Sequence, residues 1–205
     1  MLDALIVETH PTMVGSMTEL DDVTLVQHTS HQDTAAFEVL YRRFHPRVYN
    51  FIFRMTRNTE LTEEATADTL YAVWKSAASF KHKSAVSTWI LGIAYKTALK
   101  TLEKNSRHTQ KRDQSDLLET VEDSHPDHDP ARVTGTLMES DMVQQAILKL
   151  SPEQQAVVQL TATGHSCSEI SSILDCPTNT VKTRMFHARK LLQRHLQFTA
   201  GVKGD

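Results

Sequence analysis

Eight side chains near the end of the chain, Asn179, Thr180, Lys182, Thr183, Arg184, Phe186, His187 and Arg189, bring amide, hydroxyl, ammonium, guanidinium, imidazole and aromatic groups into one short stretch. Most are groups that hydrogen-bond to phosphates and base edges. Val181, Met185, Ala188 and Leu192 recur among them at offsets of four, seven and eleven, so a helix opening near Thr178 buries those four on one face. The opposite face then carries Asn179, Lys182, Thr183, Phe186, His187 and Lys190. Between Thr178 and Gln197 stand five Lys or Arg residues and no carboxylate. A positive, hydrogen-bonding face of this kind is what a helix entering the major groove requires.

A basic amphipathic helix alone is also what a solvated surface looks like, so its neighbours decide. Ser166 with Glu169 three residues later is a capping box, which opens a helix striped by Ile170, Ile173 and Leu174. Asp175-Cys176-Pro177 ends it, because proline has no N–H to donate and disfavours helical geometry in the residue before it. Ahead of this pair, Ser151-Pro152-Glu153-Gln154 supplies a cap, a proline at the first helical position and a reciprocal glutamine. Ala156, Val157 and Leu160 line that helix and Gly164 closes it. A supporting helix followed by helix, turn and basic helix is a trihelical helix-turn-helix.

The first half reads as helical too. Val23, Leu25 and Val26 begin it, and Phe37, Leu40, Tyr41, Phe44, Val48, Phe51, Ile52 and Met55 continue at three-to-four spacing over residues 35–56, with a possible bend at His45-Pro46. Asn58 to Leu61 is a polar break, after which Thr62 or a neighbour caps a helix with Ala65, Leu70, Val73 and Trp74 inward. Glu63, Glu64 and Asp68 share its outer surface, an acidic patch that is either a surface for a basic partner or solvated charge. Thr62, Thr66 and Thr69 beside it are candidate phosphorylation sites. The loop Phe80-Lys81-His82-Lys83-Ser84 leads into an apolar helix from Thr88, including Trp89, whose other side carries Lys96, Lys100 and Lys104 four apart. Such a lysine row tracks a phosphate backbone.

The net charge of −3 argues against a nucleic-acid partner only if charge is spread evenly, and it is not. Residues 81–112 hold eight bases against Glu103, whereas residues 113–141 hold nine carboxylates against Arg132. The division is residues 1–20, a disordered or optional leader with Met1, Met13 and Met17 as candidate starts; 21–104, a basic helical domain; 105–136, a flexible acidic linker; 137–198, the helix-turn-helix domain; and 199–205, a tail. The acidic linker can also lie over a basic face and mask it.

The fold class is therefore all-α, with two small helical domains joined by a linker. No apolar run is long enough for a membrane span and the N-terminus does not read as a signal peptide, which favours a cytoplasmic protein without membrane insertion. The two cysteines form no disulfide framework. His165, Cys167, Cys176 and His187 could gather around zinc, but small residues at a helix start and in a turn pack as they stand, so neither metal nor cofactor is expected. No nucleophile, paired-carboxylate or phosphate-loop arrangement points to an enzyme.

In joint order and spacing these elements resemble the extracytoplasmic-function group, group IV of the sigma-70 family, of bacterial RNA polymerase sigma factors. The resemblance spans roughly Asp21 to Lys104 and Asp141 to Leu196. Ala36 to Phe44 with Pro46-Arg47-Val48 is similar to the opening of region 2, and Glu63-Glu64-Ala65 to Trp74 is similar to the helix that binds the clamp coiled coil of the polymerase largest subunit. Phe80 with Ser87-Thr88-Trp89-Ile90 and Ile93-Ala94 is similar to the loop and helix that melt and read the −10 element. Leu150 to Gln154 and Cys176 to Arg189 are similar to region 4. The resemblance implies a −35 reader at Asn179, Thr180, Lys182, Thr183, Arg184, Phe186, His187 and Arg189. It implies −10 contacts at Phe80, Lys81, His82, Lys83, Ser84, Trp89, Lys96 and Lys100, with Trp89 weighted toward core packing, and docking of Glu63, Glu64 and Asp68 on polymerase. Partners would be core polymerase, through clamp and flap, promoter DNA, and an anti-sigma factor. Lys96 stands where the family often has Asn, which favours a phosphate contact there. The alternative is a stand-alone helix-turn-helix regulator binding its operator as a dimer.

Overall fold

The computed structural model describes residues 17–115, 143 and 145–201, and no strand occurs among them. The helices are α1 (Asp22–Ser30), α2 (Thr34–Thr56), α3 (Thr59–Ser76), a single 3-10 turn (Ala77–Ser79), α4 (Val86–Ser115), α5 (Pro152–Ala162), α6 (Cys167–Leu174) and α7 (Thr178–Gly201). Most of the expected leader, the acidic stretch beyond residue 115 and the last residues of the tail lie outside the described residues. Met17 and Leu20, assigned to the leader from sequence, pack against the core.

Local chemistry starts each helix of the first domain. The Asp21 carboxylate accepts from the Thr24 amide, Asp33 from the Ala35 and Ala36 amides, and Asn58 from the Leu61 amide. Asn58, rather than Thr62, therefore caps α3. Arg57, left-handed at φ 51°, ends α2 and turns the chain so that α3 folds back along it. Pro46 lies inside α2 without breaking it: one N–H is missing from the ladder, but all 23 residues form one continuous helix because its apolar face is held by the core. Leu25, Leu40, Ile52, Val73 and Ile90, drawn from all four helices, are buried to 1 % or less.

Two features differ from the reading of the sequence. Thr62, Thr66 and Thr69 are buried at 0, 2 and 0 % exposure, which removes them as accessible phosphorylation sites. Their hydroxyls largely turn back onto the helix: Thr62 donates to the Asn58 carbonyl and Thr69 to the Ala65 carbonyl, both at 2.6 Å. In addition, α4 runs to Ser115, well past Lys104. No Gly or Pro interrupts residues 93–115, and a polar helical extension has no apolar stripe to announce it.

In the second domain both capping boxes form, Ser151 with Gln154 and Ser166 with Glu169. Asp175 caps the end of α6 in the left-handed region at φ 51°, and Ser171 donates its hydroxyl to the Cys176 carbonyl at 2.6 Å. That tight turn sets α7 across α5 and α6, where Val157, Leu160, Ile170, Ile173, Val181 and Ala188 are buried to 1 % or less. Among the described residues, no helix is long and apolar enough to cross a membrane.

Candidate nucleic-acid interface

Burying Val181 and Ala188 fixes what α7 turns outward. Asn179, Lys182, Thr183, Phe186, His187, Arg189 and Lys190 are all exposed. Phe186 is 63 % exposed and meets His187 edge-on at 5.5 Å, an apolar ring on a polar face. The Thr183 hydroxyl donates to the Asn179 carbonyl at 2.9 Å, leaving its lone pairs outward. Arg184 departs from this face: it is half-buried, with Nη1 3.6 Å from Cys176 Sγ. Glu153 is held below the ordinary carboxylate range chiefly by the Ser151 hydroxyl, with a lesser contribution from the Arg184 charge. Thr180 is half-buried in the first turn.

The first domain offers a second basic surface. Lys81, His82 and Lys83 are exposed and Ser84 half-exposed, in a loop turned by His82 at φ 55°. Phe80 does not join them; it is 8 % exposed, its ring 4.8 Å from that of His82 and 5.1 Å from that of Trp89. It forms the wall behind the loop, and Trp89 is half-buried against it. Along α4 the lysine row is partly engaged. Lys96 donates to Asp175 of the second domain at 2.9 Å, and Lys104 donates to Glu64 of α3 at 2.9 Å, whereas Lys100 pairs with no described carboxylate. Glu64 raises the Lys104 ammonium above its ordinary value, by hydrogen bond first and by charge second. Glu63, Glu64 and Asp68 are exposed on α3, two of them without an intramolecular ion pair among the described residues.

Sequence reasoning missed the seam between the domains. There α4 packs on α6, and α2 meets α5. Gly92 lies under α6, so that a Cβ at that position would sit 3.5 Å from the Ile173 carbonyl oxygen. Gln159 of α5 donates to the Phe51 carbonyl of α2 at 3.2 Å, and Arg47 Nη2 lies 2.9 Å from His165 Nε2. These pairs are more than a hundred residues apart, so no local spacing signals them. Among the described residues no His, Cys, Asp and Glu cluster could hold a metal; His165, one of the four considered, is engaged with Arg47.

Two basic helical surfaces stand in one chain, one on a helix-turn-helix and one beside an acidic patch, and both halves match models of the sigma-70 family of initiation factors. Residues 40–108 match Sigma-70 region 2 and residues 140–192 match Sigma-70, region 4. The ECF RNA polymerase sigma factor SigM of Mycobacterium tuberculosis is 28 % identical over 185 residues, covering 90 % of this chain and 89 % of that one. The RNA polymerase sigma factor YlaC of Bacillus subtilis is 27 % identical, over 81 % of this chain and 94 % of that one. In fold the chain is similar to CnrH, solved with the cytosolic domain of CnrY (TM-score 0.61, 18 % identity, 86 % of this chain and 97 % of that one). It is likewise similar to RpoE of Bartonella quintana, solved with the anti-sigma factor NepR (TM-score 0.60, 23 % identity, 78 % and 96 %).

The protein belongs to the extracytoplasmic-function group of RNA polymerase sigma factors. It directs transcription initiation on promoter DNA with core polymerase and is not an enzyme. The matched pair of regions disfavours a stand-alone regulator, which would have no use for region 2.

Proposed function

We propose that the work is divided among three faces. The outer face of α7 reads duplex −35 DNA, with Lys182, Arg189 and Lys190 on phosphates and Asn179, Thr183, Phe186 and His187 toward base edges. Arg184 instead braces the turn that carries α7, and Thr180 sits at the edge of the reading face. The loop Lys81-His82-Lys83-Ser84, with Lys96 and Lys100 on α4, holds the opening −10 strand by charge; Phe80 supports the loop from beneath, and Trp89 offers one partly open ring. Glu63 and Asp68 dock on a basic surface of polymerase, and Glu64 joins them when Lys104 lets go.

The observation that carries this reading is the α7 face, where every outward side chain from Asn179 to Lys190 is neutral or basic. The similarity to sigma factors solved with anti-sigma proteins supports an anti-sigma partner for this chain, and a factor serving core polymerase works in the cytoplasm. The test is initiation by core polymerase plus purified protein on a promoter library. Lys182→Ala is expected to weaken all promoters alike, Thr183→Ala to shift preference at one base position, and paired Glu63→Lys and Asp68→Lys changes to abolish core binding. Core binding unchanged by the charge reversals would refute the docking assignment.

A further inference from the structure

The domain seam is charge-matched at one end only. Where α4 meets α6, Lys96 faces Asp175. Where α2 meets the end of α5, a basic group faces a basic group: Arg47 Nη2 and His165 Nε2 are 2.9 Å apart. His165 Nδ1 lies 3.1 Å from the Leu160 carbonyl, which can only accept, so Nδ1 carries the proton and Nε2 receives the Arg47 N–H. In this tautomer the imidazole offers Arg47 a lone pair but no opposite charge. Arg54, two turns along the same face of α2, makes no ion pair with a described carboxylate, and neither does Arg47.

Both arginines and Asn50 line one cleft of about 200 Å³ between the domains, together with Phe51, Leu91 and His165. The acid that feels Arg47 and His165 is Glu169, whose carboxylate is already occupied by the Ser166 amide at 2.8 Å and hydroxyl at 2.7 Å. Two guanidiniums against one engaged carboxylate leave the cleft positive, and the buried Phe51 and Leu91 give it an apolar part. Guanidinium groups match the oxygens of a phosphate in charge and in fork geometry.

We propose that this cleft binds a small phosphate-bearing anion, held by Arg47, Arg54 and Asn50, and that the bound anion fastens the two domains in the arrangement seen here. A phosphate can also come from a nucleic-acid backbone, so the test has an arm for each source. Inorganic pyrophosphate is titrated into the full-length protein at constant ionic strength, by calorimetry and by amide NMR shifts. Saturable one-to-one binding is expected, weakened about tenfold or more by Arg47→Gln or Arg54→Gln, as the loss of a charge-assisted pair implies. Lys149→Gln, which removes an exposed charge elsewhere, leaves it unchanged. Amide shifts move together on residues 47–54 of one domain and 163–166 of the other. Non-saturating binding, equal weakening by Lys149→Gln, or shifts confined to one domain would overturn the proposal. So would a result in which pyrophosphate fails to bind while the two arginine variants lose affinity for duplex DNA; the phosphate would then belong to the DNA backbone.

Discussion

A DNA phosphate approaching Lys96 has to compete with the Asp175 carboxylate already paired with it, and that competition gives a measurable prediction. Asp175→Asn removes the partner charge while keeping a residue that tolerates the left-handed backbone required at φ 51°. The two side chains are 65 % and 75 % exposed, so the 2.9 Å pair falls in the range for surface ion pairs, about 0.2–1 kcal/mol. Removing it should raise the affinity of the free protein for a single-stranded −10 oligonucleotide by about 1.5- to 5-fold at low salt. Fluorescence anisotropy at about 50 mM and about 500 mM salt reads this directly, and the gain should vanish at the higher salt as screening shortens the reach of the pair. The control is Lys96→Met in the Asp175→Asn background, which should erase the gain. An affinity that does not move, or a gain that survives loss of Lys96, would refute the reasoning, because the effect would then be general loss of negative charge.

Three further outcomes follow from the packing and the caps. Thr66 is 2 % exposed and its hydroxyl has no hydrogen-bond partner, so Thr66→Val should stabilise the first domain by about 1 kcal/mol; Thr69→Val, which removes a satisfied hydroxyl, should be near neutral, and urea midpoints distinguish the two. Ile173, at 0 % exposure, joins α6 to its neighbours, so Ile173→Ala should cost about 2–4 kcal/mol and weaken duplex −35 binding in parallel; a loss below about 1 kcal/mol would contradict its place in the core. Asp21, Glu153 and Glu169 are held below their ordinary values of 3.8, 4.5 and 4.5, mainly by the Thr24 amide, the Ser151 hydroxyl and the Ser166 amide respectively. The unfolded chain therefore takes up protons first. The stability these groups give is full above those values and is lost as pH falls through the lower folded ones, so urea midpoints should decline below about pH 5, less steeply in Glu169→Gln.

Local chemistry was legible in the sequence and distant chemistry was not. The two capping boxes, the proline that ends α6 and the apolar spacing of α7 each need only a few neighbouring residues, and they define the helix-turn-helix and its outward face. Thr62 and Thr69 misled because a threonine counts as polar until its hydroxyl is seen turning back onto the helix, after which its methyl packs like that of valine; Thr66 is buried beside them with its hydroxyl unpaired. At Phe80 an aromatic ring in a basic loop suits a stacked base, and its burial, with the ring 5.1 Å from that of Trp89, was not legible from the loop's composition. The seam depends on residues 79 to 118 positions apart, such as Lys96 with Asp175 and Arg47 with His165, and no spacing rule reaches that far.

The length of α4 has a consequence for how far apart the two domains can lie. Residues 105–115 span about 16 Å as helix but about 36 Å when extended. Because this polar end lies beyond the apolar part of the helix, unwinding it need not disturb the first-domain core. The helix thus holds about 20 Å of chain in reserve, in addition to residues 116–142, for any separation of the two domains.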